Sequence, residues 1–438
     1  MTSPRISFSQ KSQRTGEPPV SRLHSEAQAD PGLISLAVGY VDEASLPVGE
    51  TARAFADLLA DRAAGQAALQ YGTTPGLLPL RRKLLHHLEH LEGKPAGSMR
   101  LTEENVVVTT GSQQGLYLLA DVLLDAGDLV IASAPSYFVY TGALQSFGAD
   151  VRTVAMDGGG MRMDQLEALL RALAASGEIR RLKAIYVVSY YQNPTGLNLA
   201  ADRRARLVEL ARAYSDDHRI VIIEDAAYRE LRYDGPALGS VKSFDETNEY
   251  VALGMTFSKA FSPGMKTGYF FLPDDLLEAV LHQKGNHDFG SSHLLQHALL
   301  RVMDSGLYAE HASAVRQAYK IKRDTMLGAL EEEFSETPAT WTKPAGGLYV
   351  WVSLPETLDT RRGQALFDRC VDRGVLYVPG DYCFSVQEGR PPPTNYLRLS
   401  FGAVDVPTIR EGIHRLAGAI RDSLPGARGR TLSTGKTA

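Results

Sequence analysis

Between residues 105 and 272, short apolar, β-branched runs alternate with segments of helical composition, and this alternation constrains the fold more than any other feature of the chain. The runs cover 105–110 (NVVVTT), 128–134, 151–156, 184–189 (AIYVVS), 220–226 (IVIIEDA), 250–256 and 268–272, and helix-like stretches such as 113–126 and 200–214 separate the first five. Strands that are apolar on both faces and alternate with helices belong in a mostly parallel sheet covered on both sides. The expectation is an α/β fold: a large domain with a mostly parallel seven-stranded sheet flanked by helices, plus a small α+β domain. From about residue 275 the pattern turns helical, over 274–284 and then from 294 to about 333, before strand candidates at 347–352 and 396–401. Residues 1–30 are polar, rich in Ser, Pro and Gln, and lack a period, so an irregular arm is expected there. The expected division is an arm and part of the small domain at 1–45, the large domain at 46–320, the small domain at 321–424 and a disordered tail at 425–438.

Composition removes several function classes. A formal charge of −5, from 46 basic and 51 acidic residues, points to no nucleic-acid or membrane partner. Two widely separated cysteines, Cys370 and Cys383, cannot build a disulfide framework, and the polar N-terminus lacks a secretory pattern. A cytoplasmic setting follows as the expectation. No metal site is expected: the pair His293 and His297 lacks the Glu of a zinc helix, and His86, His87 and His90 read as a solvated helix face.

In sheets of this kind ligands bind beyond the carboxyl ends of the strands, and four motifs fall there. Thr110-Gly111-Ser112-Gln113 opens a helix after the first strand. Its free N–H groups suit a phosphate, although such a Ser also serves as an ordinary N-cap. Asn193-Pro194-Thr195-Gly196 leaves the AIYVVS strand, either as a plain turn or to offer an amide to a ligand. Glu224-Asp225 ends IVIIEDA, with Tyr228 three residues on. A carboxylate there needs a cation or strong donors, because burying it unpaired costs several kcal/mol. Thr256-Phe257-Ser258-Lys259 follows the next strand, with Lys266 beyond it. A lysine in such a setting can lose its proton and form an imine with a carbonyl.

In this order and spacing the motifs resemble the fold-type I aminotransferases of class I/II. The likeness extends through Ile34–Gly39 (ISLAVG), Tyr71-Gly72, Pro135-Ser136-Tyr137, Gly346-Gly347-Leu348-Tyr349-Val350-Trp351 and Leu397-Arg398-Leu399. Within that family the chain looks most like the 2-aminoadipate/kynurenine type. The resemblance implies pyridoxal 5′-phosphate as cofactor and transamination between an L-amino acid and a 2-oxo acid. Lys259 would hold the cofactor as a Schiff base, Asp225 would pair with its ring nitrogen, and Asn193 and Tyr228 would bond its phenolic oxygen. Tyr137 would stack on the ring. Ser112, Gln113, Thr256, Ser258 and Lys266 would hold the phosphate. Arg398 would clamp the substrate carboxylate, with Asn193, Gly39 and Arg22 also on the substrate side. Tyr71 would reach the neighbouring subunit's phosphate, with Ser291 or Ser292 in the same part, which implies a homodimer with shared sites.

Two departures stand out. Lys266 occupies a position where the family usually has Arg, and Tyr40-Val41-Asp42-Glu43 replaces the family's usual proline and small residues. If Asp42 or Glu43 faced the pocket, a basic donor would be favoured; Arg22 argues instead for a distal carboxylate or an apolar group. Another reaction on the same cofactor, such as oxidation, cyclisation or elimination, is the alternative. A transcriptional regulator built on this fold would need a DNA-binding domain, and only about 30 residues precede Ile34.

Overall fold

The computed structural model describes residues 6–335, 337–386 and 391–424. All seven expected strands form, each within two residues of its expected bounds. From one edge they run Val106–Thr109, Gly268–Phe271, Val251–Thr256, Val221–Asp225, Leu182–Val188, Leu129–Ala134 and Asp150–Asp157. Every neighbouring pair among the last five is parallel, and Gly268–Phe271 runs antiparallel to both its neighbours. An eighth strand, Gly160–Met161, extends the far edge beyond the expected seven. Two residues are too few for a period-2 signal to be legible.

The apolar runs are explained by burial on both faces. Val221–Asp225 and Val251–Thr256 bury every residue, with helices packed above and below. Gly268 has a separate reason. It lies against the start of helix Gly111–Leu123, where an added Cβ would stand 2.4 Å from the Ser112 nitrogen. Only glycine allows the helix N-terminus to sit directly on the sheet end.

A second, antiparallel sheet orders Thr340–Trp341, Tyr349–Ser353, Tyr396–Ser400 and Val378–Pro379. Ile34–Ser35 pairs with Val375–Leu376, so an early segment of the chain joins the late one.

Two expectations need correction. The arm is not irregular: Gln10–Arg14 and Pro19–Ala29 are helices. Proline at the second one's first turn is pre-set for a helix, and Val20, Leu23 and Ala27 fall at helical spacing on the core, with Leu23 fully buried. Three apolar residues among polar ones are too sparse to read. The run 294–333 is two helices, His293–Asp304 and Leu307–Glu333, broken at Gly306 with φ +83°. The expected boundary at 320/321 falls inside the second of these. The tail expected at 425–438 lies outside the described residues. Among the described residues no helix is long and apolar enough to cross a membrane.

Candidate active site

The carboxyl ends of the central strands open into a cavity of about 320 Å³ that reaches across to the small antiparallel sheet. Twelve of the residues singled out from the sequence line it: Gly39, Ser112, Gln113, Tyr137, Asn193, Asp225, Tyr228, Thr256, Ser258, Lys259, Lys266 and Arg398. They arrive on separate loops and strands, so the fold and not sequence proximity assembles them.

One end of the cavity is built for an anion. Thr110 makes no side-chain cap on helix Gly111–Leu123, so the first-turn N–H groups at Ser112 and Gln113 stay uncapped by it. Thr256 Oγ1 and Ser258 Oγ stand 2.9 Å apart beside them, and Lys266, exposed and left-handed at φ +45°, adds a cation.

Asp225 ends its strand 5% exposed. Its Oδ2 accepts from the Tyr186 hydroxyl (3.0 Å) and its Oδ1 from the Ala227 N–H (3.1 Å). Burial pushes its carboxyl from the ordinary 3.8 up to about 6, against the pull of those donors and of Lys259. The adjacent Glu224 is accounted for structurally, accepting from Ser189 and from the Val241 and Lys242 N–H groups.

Lys259 donates from Nζ to the Gly39 carbonyl at 3.1 Å and lies 5.8 Å from the centre of the Tyr228 ring. Across the cavity Arg398, 2% exposed, donates to Asn193 Oδ1 (2.8 Å) and to the Ala37 carbonyl (2.6 Å). Its Nε has no partner, and its two bonds go to an amide and a carbonyl rather than to any carboxylate among the described residues. Charge buried in that state is costly unless an anion completes it. Tyr137 is half-buried on the wall, where burial raises its hydroxyl pKa far above normal.

Sequence reasoning missed part of the site. Tyr349 touches the Tyr228 hydroxyl with its own at 3.1 Å and lies 4.3 Å under the Arg398 guanidinium; its motif is visible in the sequence, its role is not. Val20, Val38, Val41, Phe138 and Val139 also line the cavity, with no polar atom to advertise them.

Other expected residues lie elsewhere. Arg22 is exposed and pairs with Glu17 at 2.9 Å, while its helix sends Val20 to the cavity instead. Tyr71 is 84% exposed, edge-on to Phe289. Ser291 is buried 3.3 Å from Thr110 Oγ1, and Ser292 caps the helix His293–Asp304. Asp42 does not line the cavity and is largely withdrawn from water. It pairs with Lys322 at 2.9 Å and accepts from Ser45. Burial works to raise its pKa, but these partners hold it below the usual range. Glu43 is exposed. The expectation of a basic donor held by these acids therefore loses its basis. His87 is not on a solvated face either: it packs against Tyr308 and meets Glu230 at 3.2 Å.

A family model described as aminotransferase class I and II matches residues 31–416. The chain is 34% identical to aromatic-amino-acid aminotransferase 1 of Thermococcus litoralis, over 90% of this chain and 89% of that one. It superposes on the kynurenine aminotransferase of Pyrococcus horikoshii, solved with PMP, at a TM-score of 0.86 and 32% identity, covering 96% and 98% of the two chains. The alpha-aminoadipate aminotransferase of Thermus thermophilus, complexed with N-(5′-phosphopyridoxyl)-L-leucine, gives 0.80 and 30% identity, with 95% and 97% coverage.

Proposed function

The chain belongs to the aminotransferase class I and II family and is a pyridoxal-phosphate-dependent transaminase, and on that premise we propose which residues do the work and what amino donor they select. The observation that carries the reading is the presence, in one cavity, of Lys259 and a buried guanidinium that has no carboxylate partner among the described residues.

The residues fit the cofactor. The uncapped helix start with Ser112, Gln113, Thr256, Ser258 and Lys266 would hold its phosphate. Asp225, raised to about 6 by burial, would gain a charge partner in a protonated ring nitrogen. Tyr137 would cover a ring face, and Tyr228 and Asn193 would approach the ring oxygen. When bound, the cofactor supplies an electron sink for negative charge at the substrate Cα.

Lys259 would hold the cofactor covalently through Nζ. Displaced by the incoming amine, the same Nζ would take the Cα proton and later return it. Arg398 would grip the α-carboxylate, its fork already oriented by Asn193 and Ala37. Gly39 would serve as the lysine's resting acceptor. Asp225 would stay ionised opposite the ring nitrogen and keep it protonated.

The wall left for the side chain is apolar, formed by Val20, Val38, Val41, Phe138 and Val139 with Tyr40, and Asp225 is the one acid among the lining residues. A charged donor side chain would lose its hydration there without compensation. Apolar and aromatic donors are therefore the proposed substrate class, in keeping with the aromatic-amino-acid and kynurenine aminotransferases named above. A homodimer in the cytoplasm is part of the same proposal. The dimer's support is the exposed Leu69, Tyr71 and Phe289, which offer an apolar patch to a second copy.

Single-turnover spectroscopy tests the reading. Phenylalanine, leucine and kynurenine should convert the cofactor to its amine form without oxygen uptake, at least tenfold faster than arginine, lysine, glutamate or 2-aminoadipate. A charged donor at the top of that ranking would sink the substrate assignment.

A further inference from the structure

We infer that Tyr349 is a positioning residue with two separable jobs: its ring fixes Arg398, and its hydroxyl commits the Tyr228 proton to the cofactor. This rests on the roles proposed above for Arg398 and Tyr228.

Strand Tyr349–Ser353 pairs with Tyr396–Ser400 so that Trp351 opposes Arg398 and Tyr349 opposes Ser400. Directly opposed residues, and those two apart, share a sheet face. Tyr349 and Arg398 therefore project together toward the cavity. The guanidinium carbon stands 4.3 Å from the Tyr349 ring centre and 5.6 Å from that of Phe138. Among the described residues Nε has no partner and no carboxylate bonds the guanidinium, and the Tyr349 ring is the closer of the two electron-rich surfaces against this cation.

The hydroxyl is a second device. The Tyr349 and Tyr228 oxygens are 3.1 Å apart, both rings buried and crossed edge-on at 78°. Each hydroxyl has one proton. If Tyr349 donates to Tyr228, the Tyr228 proton is free for an oxygen in the cavity, and the two bonds in series polarise each other. The close approach is made possible by Gly39, where an added Cβ would stand 2.2 Å from the Tyr349 oxygen. The carbonyl of that same glycine receives Lys259. One tyrosine thus touches the residue proposed for the carboxylate, the one proposed for the ring oxygen, and the glycine on which the lysine rests.

The two jobs separate by substitution. Tyr349→Phe keeps the ring and loses the hydroxyl. A weaker Tyr228 donor leaves the ring oxygen holding the neighbouring lysine-link proton more tightly. The pH midpoint of the holoenzyme's visible absorption change should then rise by on the order of half a unit. Binding of 3-phenylpropionate, a carboxylate without an amine, should stay within twofold. Tyr349→Leu removes the ring, and 3-phenylpropionate, measured by calorimetry on the holoenzyme, should bind about tenfold more weakly. An unmoved midpoint in the Phe variant overturns the hydroxyl's role, and equal carboxylate binding in a folded Leu variant overturns the ring's. If the Leu variant does not fold, the Phe variant alone still decides, because a tenfold loss of 3-phenylpropionate binding there would refute the division of labour. A wild-type protein without any lysine-dependent absorption band would instead refute the cofactor roles on which this inference stands.

Discussion

At the scale of a single residue, burial makes the ionised form of Asp225 costly to the fold. Its carboxyl, raised from 3.8 to about 6, binds a proton more tightly in the folded apoprotein than in the unfolded chain. Apoprotein stability therefore declines as pH rises from about 4 to about 6, and above that the loss is at most about 3 kcal/mol. Asp225→Asn removes the titration. Thermal unfolding of cofactor-free protein should show the variant gaining on wild type between pH 4 and 6 and melting higher at pH 8. Turnover of the loaded variant should fall by orders of magnitude, since a neutral ring nitrogen withdraws electrons poorly. A variant melting lower at pH 8, or one within a few-fold of wild-type activity, would make Asp225 a structural cap.

At the scale of elements, helix Pro19–Ala29 decides what the arm contributes. It anchors through Leu23 and presents Val20, not Arg22, to the cavity. Val20→Asp should raise KM for an apolar donor at least tenfold, whereas Arg22→Ala should leave it within twofold; steady-state kinetics with phenylalanine and glutamate would separate the two. The reverse order would restore Arg22 as a substrate residue. This helix also marks the limit of what the sequence conveys. The central strands are legible because burial on both faces makes them continuous apolar runs, and the motifs sit where such strands end. Lys259, Asp225 and Asn193 stand out because a charge or amide at or just past a strand end is chemically conspicuous, whereas Arg398 lies mid-strand and is singled out only by the family resemblance. Val20 and Val139 do not stand out, since a valine facing a cavity looks like one facing the core. Asp42 misleads for the opposite reason: its charge is visible, but Lys322, 280 positions away, is needed to see it neutralised.

At the scale of the whole molecule, the exposed Leu69, Tyr71 and Phe289 do not line the cavity of their own chain and are the apolar surface proposed for a second copy. Sedimentation should give about twice the 47.7 kDa chain mass, and Tyr71→Ala should weaken cofactor binding without abolishing the dimer. A monomer with full cofactor affinity would remove Tyr71 from the site. At the centre stands the proposed role of Lys259, which would hold the cofactor in a cavity whose opposite wall carries Arg398, without a carboxylate partner among the described residues. Borohydride reduction of the holoenzyme followed by peptide mass spectrometry tests it most directly. The predicted result is one cofactor-derived mass per chain on the peptide containing Lys259, absent in Lys259→Ala although that variant keeps its fold. Attachment to another lysine such as Lys266, or persistence of the fixed cofactor in Lys259→Ala, would contradict it.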